Sequence, residues 1–266
     1  GQGKLLLHGG GNLGDEWPVH QRMRQRVIAE FADLPIVQLP QSVHFNAAES
    51  LEDARTVFDA HPDLTLLCRD PRSAQVAERE FANASTRLCP DAAFGLGQLD
   101  GRRGEGVGVL WLTRTDEERR GGRLCADRPG HRTADWLSEH RGSLGWEGSY
   151  GVKLRVQALL QRAMRGHPAL APATGALATV QRRAAWQRVR FGAGLLSSAS
   201  VVVTDRLHAH VLCLLLGVPH VVVDTGYGKI ESFVRAWSLD AHEVRLAQDP
   251  AEAAALAEEL LALPGS

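Results

Sequence analysis

The 266 residues are enough to bury a sizeable core, either as one large domain or as two α/β lobes. Thirty Lys plus Arg meet 31 Asp plus Glu, which excludes a global field drawing in nucleic acid or an anionic lipid surface. Cys68, Cys89, Cys125 and Cys213 form no C-x-x-C and meet no histidine at zinc-finger spacing, so a reduced, intracellular protein without a metal site is expected.

The chain begins Gly1-Gln2-Gly3, without a Met, and runs directly into a strand, which implies native sequence upstream. No signal-peptide pattern is present, and the longest apolar run, residues 211–218, falls well short of a membrane span. Residues 4–8 read as a buried strand of a parallel sheet, ended by glycines. Residues 17–31 follow as a helix with Met23, Val27, Ile28 and Phe31 near helical spacing. A strand over 35–39, stopped by Pro40, precedes a helix over 47–60, a strand over 64–68, a helix over 72–81 and a short strand over 86–89. Alternation at this pace predicts parallel βαβ units.

The glycine-rich stretch 95–108 reads as a hinge, dividing an N-terminal lobe, 1–104, from a C-terminal lobe, 105–266. Residues 107–112 restart the pattern as a strand. The Arg- and Gly-rich stretch 114–150 is weakly periodic and reads as surface segments and short helices. Helices are predicted over 152–164 and 179–196, then a strand over 200–204, a helix over 206–216 closed by Gly217 and Pro219, a strand over 220–224, and a helix over 250–263. The fold class is α/β, with two Rossmann-like lobes built on parallel sheets.

The polar motifs cluster where predicted strands end, the edge at which open parallel sheets bind ligands. Gly9, Gly11 and Gly14 satisfy G-x-G-x-x-G as a strand-to-helix turn, and Gly11 lets the backbone approach an anionic ligand. A dinucleotide site also needs a carboxylate after the second strand; Gln38-Leu-Pro-Gln41 supplies none, and that reading fails. Asn12 and Asp15 are candidate ligand contacts, with Asp15 equally suited to cap a helix. Gln41 and Ser42 divide evenly between ligand contact and loop, and His44 reads as a surface or packing residue. Arg69 emerges at a strand end as a candidate for bidentate carboxylate or phosphate binding, its alternative being a local pair with Asp70. Arg72 favours such a pair, and Asp91 either faces the ligand or caps a turn. Arg114 ends the first strand of the second lobe.

The strongest signal is Thr204-Asp205-Arg206-Leu207-His208-Ala209-His210, where a valine strand delivers Asp, Arg and His to the start of a very apolar helix. Arg206 suits an anion with the helix dipole assisting, and His208 suits proton transfer near neutrality. Side chains two apart on a helix diverge, so the His208/His210 pair is not expected to hold a metal, and His210 reads as a core or helix-face histidine. Lys229 offers a further point charge or simply a solvated helix start.

Together, Leu-His-Gly-Gly-Gly-Asn-Leu-Gly-Asp (7–15), Leu-Pro-Gln-Ser (39–42), Arg-Asp (69–70), Thr-Asp-Arg-Leu-His-Ala-His (204–210) and Tyr-Gly-Lys-Ile-Glu-Ser-Phe (227–233) resemble the bacterial polysaccharide pyruvyltransferases, in family order. The resemblance implies a GT-B-like pair of lobes with the active site in the interlobe cleft, and phosphoenolpyruvate as donor. It also implies a sugar or lipid-linked oligosaccharide as acceptor, a ketal product, and neither metal nor organic cofactor. Arg206 and His208 match the family's functional Arg and His, and Arg69 matches an anion-binding Arg; Asn12, Asp15, Gly11, Gln41, Ser42, Arg114, Asp205 and Lys229 fall in as substrate contacts. A cytoplasmic enzyme reaching the inner membrane face through its acceptor lipid is the implied setting. His-Ala-His stands where His-Gly-His is common, and a strand with an Asn-x-Gly-Asp turn usually precedes the region where this chain begins. Two other readings are a GT-B glycosyltransferase using a nucleotide sugar, with Asp224 or Glu231 as ribose carboxylate, and a non-catalytic glycan-binding relative.

Overall fold

A computed structural model describes residues 3–100, 108–114, 129–136, 171–224 and 228–263. The helix expected over 152–164, part of the glycine-rich hinge and most of 114–150 lie outside the described residues. Two five-stranded sheets carry the mixed α/β architecture. The first contains β1 (Leu5–Leu7), β2 (Gly10–Gly14), β3 (Ile36–His44), β4 (Leu64–Cys68) and β5 (Ser85–Leu88). Its order is β1-β3-β4-β5, with β2 also paired to β3, and all four pairings are parallel. Helices α1 (Pro18–Glu30), α2 (Ala48–Asp59) and α3 (Pro71–Glu80) supply the crossovers.

The second sheet contains β6 (Val109–Leu112), β7 (His131–Ala134), β8 (Val201–Thr204), β9 (His220–Val223) and β10 (Val244–Ala247), in the order β10-β9-β8-β6-β7. β6 pairs in parallel with both β7 and β8. Helices α4 (Ala171–Leu196), α5 (Leu207–Leu216), α6 (Lys229–Trp237) and α7 (Pro250–Leu261) complete the described set. Every residue of β6, β8 and β9 is buried, which is why these strands read as unbroken apolar runs. The chain divides into two compact units, Gly1–Gly97 with Val222–Asp249, and Gln98–Val221 with Pro250–Ser266.

Three local differences from the sequence reading matter for the site. The glycine segment is not a strand-to-helix turn but a strand, with an irregularity between Gly10 and Leu13. Pro40 does not stop β3. The strand continues through it to His44, because the ladder to β4 skips from Gln38 to Gln41 and leaves Pro40 no hydrogen bond to donate. Finally, α1 buries Gln21, Arg24 and Ile28 while Met23 and Phe31 stay 40% and 39% exposed. Of the expected apolar positions only Val27 and Ile28 pack on the core, because the polar side chains of Gln21 and Arg24 share the inner face.

Candidate active site

In the first unit, β2 lies against β3 so closely that Gly14, with φ of +136°, has no room for a side chain: a Cβ there would fall 1.6 Å from the His44 carbonyl oxygen. Two backbone N–H groups of this glycine strand are taken up by buried amide side chains. Asn12 N–H donates to Gln41 Oε1 at 3.0 Å and Gly14 N–H to Gln21 Oε1 at 3.2 Å. Gln41 Nε2 donates to the His8 carbonyl at 2.9 Å and to Asn12 Oδ1 at 2.9 Å, so Gln41 is a fully buried tie between β2 and β3. Arg24 reaches the same network from α1. Its Nε donates to Gln38 Oε1 at 2.6 Å, Nη1 to Gln21 Oε1 at 2.7 Å, and Nη2 to Asn12 Oδ1 at 2.8 Å.

Arg69 is not at an exposed strand end. It is 3% exposed, its Nη1 pairs with Asp91 at 2.7 Å, and its Nε donates to Ser42 Oγ at 2.8 Å. The partner is thus neither Asp70 nor solvent but an aspartate at the start of the next loop, which also caps the 3₁₀ turn Ala92–Leu96 through Ala93 N–H. The guanidinium edge at Nη2 lies against the glycine strand; a Cβ on Gly11 would come within 2.6 Å of it. Ser42, in turn, donates to Asp70 Oδ2 at 3.0 Å, and Asp70 caps α3 by accepting from Ser73 N–H at 2.8 Å. Gln41 and Ser42 therefore sit inside β3, not in a loop after it. Trp237 Nε1 donates to the Arg69 carbonyl at 2.8 Å, and Phe94 stacks on Phe233, tying α6 to this part of the first unit.

Asp15 caps a helix, though not the one that follows it. Its carboxylate accepts from Asn46 N–H at 2.9 Å and Ala47 N–H at 2.7 Å, at the start of α2. Burial pushes its pKa up, but the hydrogen bonds from Asn46 and Ala47 outweigh burial and hold it below the usual aspartate value.

In the second unit, β8 ends in a relay of short contacts. Thr204 Oγ1 donates to the Leu112 carbonyl at 2.7 Å and accepts from Arg206 N–H at 3.1 Å, which fixes where the chain leaves the sheet. Arg206 is the N-cap residue of α5, one position before the helix proper. Asp205 is buried and accepts from Arg114 N–H at 2.9 Å. Burial raises its pKa, against the opposing pull of that hydrogen bond and of the Arg206 and Arg114 charges. Arg206 Nη2 pairs with Asp135 at 2.5 Å, an aspartate that directly follows β7. His208 stands exposed in the first turn of α5, whereas His210 is fully buried. His210 Nδ1 lies 2.7 Å from His220 Nε2, whose Nδ1 donates to the Val218 carbonyl at 2.8 Å. Burial, with the His220 ring adding to it, pushes the His210 pKa well below the ordinary imidazole value. Among the described residues no group of three or more His, Cys, Asp or Glu converges as a metal cage would.

The structure thus gathers Asn12, Gly11, Gln41, Ser42 and Arg69 in one network of the first unit, and Arg114, Asp205 and Arg206 in one network of the second, with His208 next to it on α5. Lys229 begins α6, where Asp224 accepts from the Ile230 and Glu231 N–H groups at 2.9 Å each. Arg24 and Asp135 are the participants the sequence reading lacked, while Asp91, expected to face the ligand or cap a turn, caps a turn and also pairs with Arg69. Asp135 lay in a weakly periodic stretch; Arg24 sits among the apolar positions by which the helix was read, and its spacing from Gln21 and Ile28 marks the buried face.

A solved structure of a functional uncharacterized protein from Klebsiella pneumoniae subsp. pneumoniae NTUH-K2044 has the same fold, with a TM-score of 0.55 and 17% identity over 92% of this chain and 75% of its own. That likeness places the chain among two-sheet, Rossmann-like α/β proteins. The sequence goes further: the model of the family described as polysaccharide pyruvyl transferase matches residues 2–145 and 183–227, and the chain belongs to that family. Pyruvyl transferase 1 of Schizosaccharomyces pombe (strain 972 / ATCC 24843) is 32% identical over 238 residues, covering 88% of this chain. EpsO of Bacillus subtilis (strain 168), whose name includes the words pyruvyl transferase, is 26% identical over 244 residues, covering 92% of this chain and 72% of its own. The chain spans about half, 54%, of the length of the Schizosaccharomyces relative. No helix among the described residues is long and apolar enough to cross a membrane.

Proposed function

We propose that this pyruvyl transferase moves the pyruvyl group of phosphoenolpyruvate onto two hydroxyls of a sugar, forming a pyruvate ketal in the synthesis of an exopolysaccharide or surface glycan. The observation that carries this reading is the end of β8. A buried strand presents Arg206, held in place by Asp135, and the exposed His208 in the next turn, while the other histidine of the motif is packed away against His220.

In the proposed reaction the donor's methylene carbon gains a proton and becomes a methyl group, leaving an oxygen-stabilised cation at the carbon that bears phosphate. A sugar hydroxyl bonds to that carbon and gives up its proton; the carbon–oxygen bond to phosphate breaks, and the phosphate leaves with a proton. The second hydroxyl then closes the ring and releases its own proton. His208 moves a proton in this sequence, and Arg206 stabilises the anionic donor and the departing phosphate. Neither a metal nor an organic cofactor enters the scheme. The acceptor is a free or lipid-linked sugar, met in the cytoplasm at the inner face of the membrane.

The nucleotide-sugar alternative calls on Asp224 or Glu231 to hold a ribose. Asp224 Oδ2 is occupied by two amides of α6 and Glu231 pairs with Arg235 at 2.8 Å, which favours the pyruvyl donor. The test is phosphate release from phosphoenolpyruvate across a panel of free and lipid-linked sugars. Acceptor-dependent phosphate release with a new ketal carbon in the product supports the reading; no phosphate release from phosphoenolpyruvate, with nucleotide release from nucleotide sugars instead, overturns it.

A further inference from the structure

Arg24 is an unusual buried charge. It is fully buried, and among the described residues it forms no ion pair with a carboxylate. A buried cation is costly unless it is paired and hydrogen-bonded. Here the compensation is entirely by neutral oxygens: Gln38 Oε1, Gln21 Oε1, Asn12 Oδ1 and the Asn12 carbonyl, the last at 3.2 Å. Burial lowers its pKa only to about 10, so the guanidinium stays charged at neutral pH. The other buried guanidinium of this unit, Arg69, differs in having Asp91 as counter-ion.

The charge is connected to the surface through one side chain. Asn12 Oδ1 accepts from Arg24 Nη2 at 2.8 Å and from Gln41 Nε2 at 2.9 Å, and two donors on that atom leave no choice about which end of the amide is oxygen. Its Nδ2 end is therefore turned to the exposed edge, 3.3 Å from His8 Nε2. His8 is exposed there and its ring lies tilted against that of His20, with centroids 5.3 Å apart. Partial burial first, and the Arg24 charge and the His20 ring after it, push the His8 pKa below the ordinary imidazole value. Beside Asn12, Gly11 keeps Arg69 Nη2 close to the same strand. The nearest carboxylate in sequence, Asp15, is committed to the start of α2.

We propose that Arg24 is a positioning residue that points the Asn12 amide N–H outward and leaves its own charge uncompensated, so that His8 and Asn12 form a subsite for a carboxylate or phosphate group. Arg24 does not touch the ligand. It completes its charge balance through the anion that binds, by way of the Asn12 amide. This deepens the pyruvyl-transfer reading, which supplies phosphoenolpyruvate as the anion, although the subsite is defined by charge and geometry alone.

The test uses Asn12→Asp. This near-isosteric change places a carboxylate where the amide stood, 2.8 Å from Arg24 Nη2, and so supplies the counter-ion internally. Melting temperature should rise, while affinity for inorganic phosphate and for phosphoenolpyruvate, read by calorimetry, falls roughly tenfold or more through like-charge repulsion. Stability and affinity moving in opposite directions is a result that a purely structural Arg24 does not produce. Arg24→Gln, if it folds, should lower affinity for both probes in the same way; if it does not fold, the Asn12 variant decides alone. Unchanged affinity for both anions in Asn12→Asp, or no binding of either by the unaltered protein, overturns the subsite. Phosphate binding that Asn12→Asp abolishes, in a protein that transfers no pyruvyl group, keeps the subsite and removes the pyruvyl-transfer reading. Unchanged anion binding in a protein that does transfer pyruvate does the reverse.

Discussion

The two units hold their buried charges in different ways. In the first, Arg24 is surrounded by amide oxygens and Arg69 is closed by Asp91, so the network ties β2, β3 and α1 together and shows the surface little more than Asn12 and His8. In the second, the Arg206–Asp135 pair stands beside an exposed His208, while the groups that merely support it, Thr204 and Asp205, are spent on the backbone of β6 and the residues after it. In the proposed reaction the second network is the working edge, and the first holds its unit together and offers a ligand only the Asn12–His8 edge. Polar residues at a strand's end are not equivalent: what they bond to decides whether they are available to a ligand.

That contrast is broken or sharpened by substitution. The largest stability effect is expected for Arg69→Ala, which removes the ion pair of the buried Asp91 carboxylate and should cost about 3–5 kcal/mol in chemical denaturation. A cost under about 1 kcal/mol would mean that the pair is solvated and that Arg69 belongs to the working edge after all. Gly14→Ala should follow, losing about 1–3 kcal/mol from a backbone conformation at φ +136° that alanine resists, with the His44 carbonyl clash added to it. Asp15→Ala should remove about 0.5–2 kcal/mol by uncapping α2, seen as faster amide exchange at Asn46 and Ala47.

The smallest effect is the pH response, and it separates the units. The Asp15 pKa is lowered in the folded state, so its contribution is complete above the unfolded value of 3.8 and is lost as pH falls through the folded value. The His210 pKa is also lowered, but for a base this means that the unfolded chain takes up a proton first: stability falls as pH drops below 6.5. Hydrogen exchange should therefore loosen α5 and β9 between pH 6.5 and 5 while α2 stays protected. Simultaneous loosening of both would show that the His210–His220 pair is not the weak point.

Much of the fold was legible because burial on both faces writes itself as apolar runs. β4 matches its expected bounds, and β8 and α5 lie within one residue of theirs. The failures share a cause in polar residues that take buried positions. β2 looked like a glycine turn because its pairing rests on backbone and amide side chains, not on apolar alternation. The face of α1 was misjudged because Gln21 and Arg24 occupy it, and β7, His-Arg-Thr-Ala, carries no strand pattern at all. Of the candidate site, the identity of Arg206 and His208 was readable from the motif, but the partner of Arg206 was not, since Asp135 is 71 residues away in sequence. The burial of Arg69 was likewise invisible, because the sequence offered Asp70 as its local partner and left Asp91 between a ligand contact and a turn cap, not a counter-ion.

The most direct measurement is specific activity beside melting temperature for His208→Ala, with Arg206→Ala alongside. His208 is exposed, so its loss should leave stability within about 0.5 kcal/mol of the parent, while pyruvyl transfer from phosphoenolpyruvate falls by about 10²–10⁴-fold. Arg206→Ala should lose about a hundredfold or more in rate and some stability as well, because Asp135 is left buried, and Asp135→Asn in the same chain should return the stability without returning the rate. A His208→Ala protein that melts normally and transfers pyruvate at the parent rate would contradict the account.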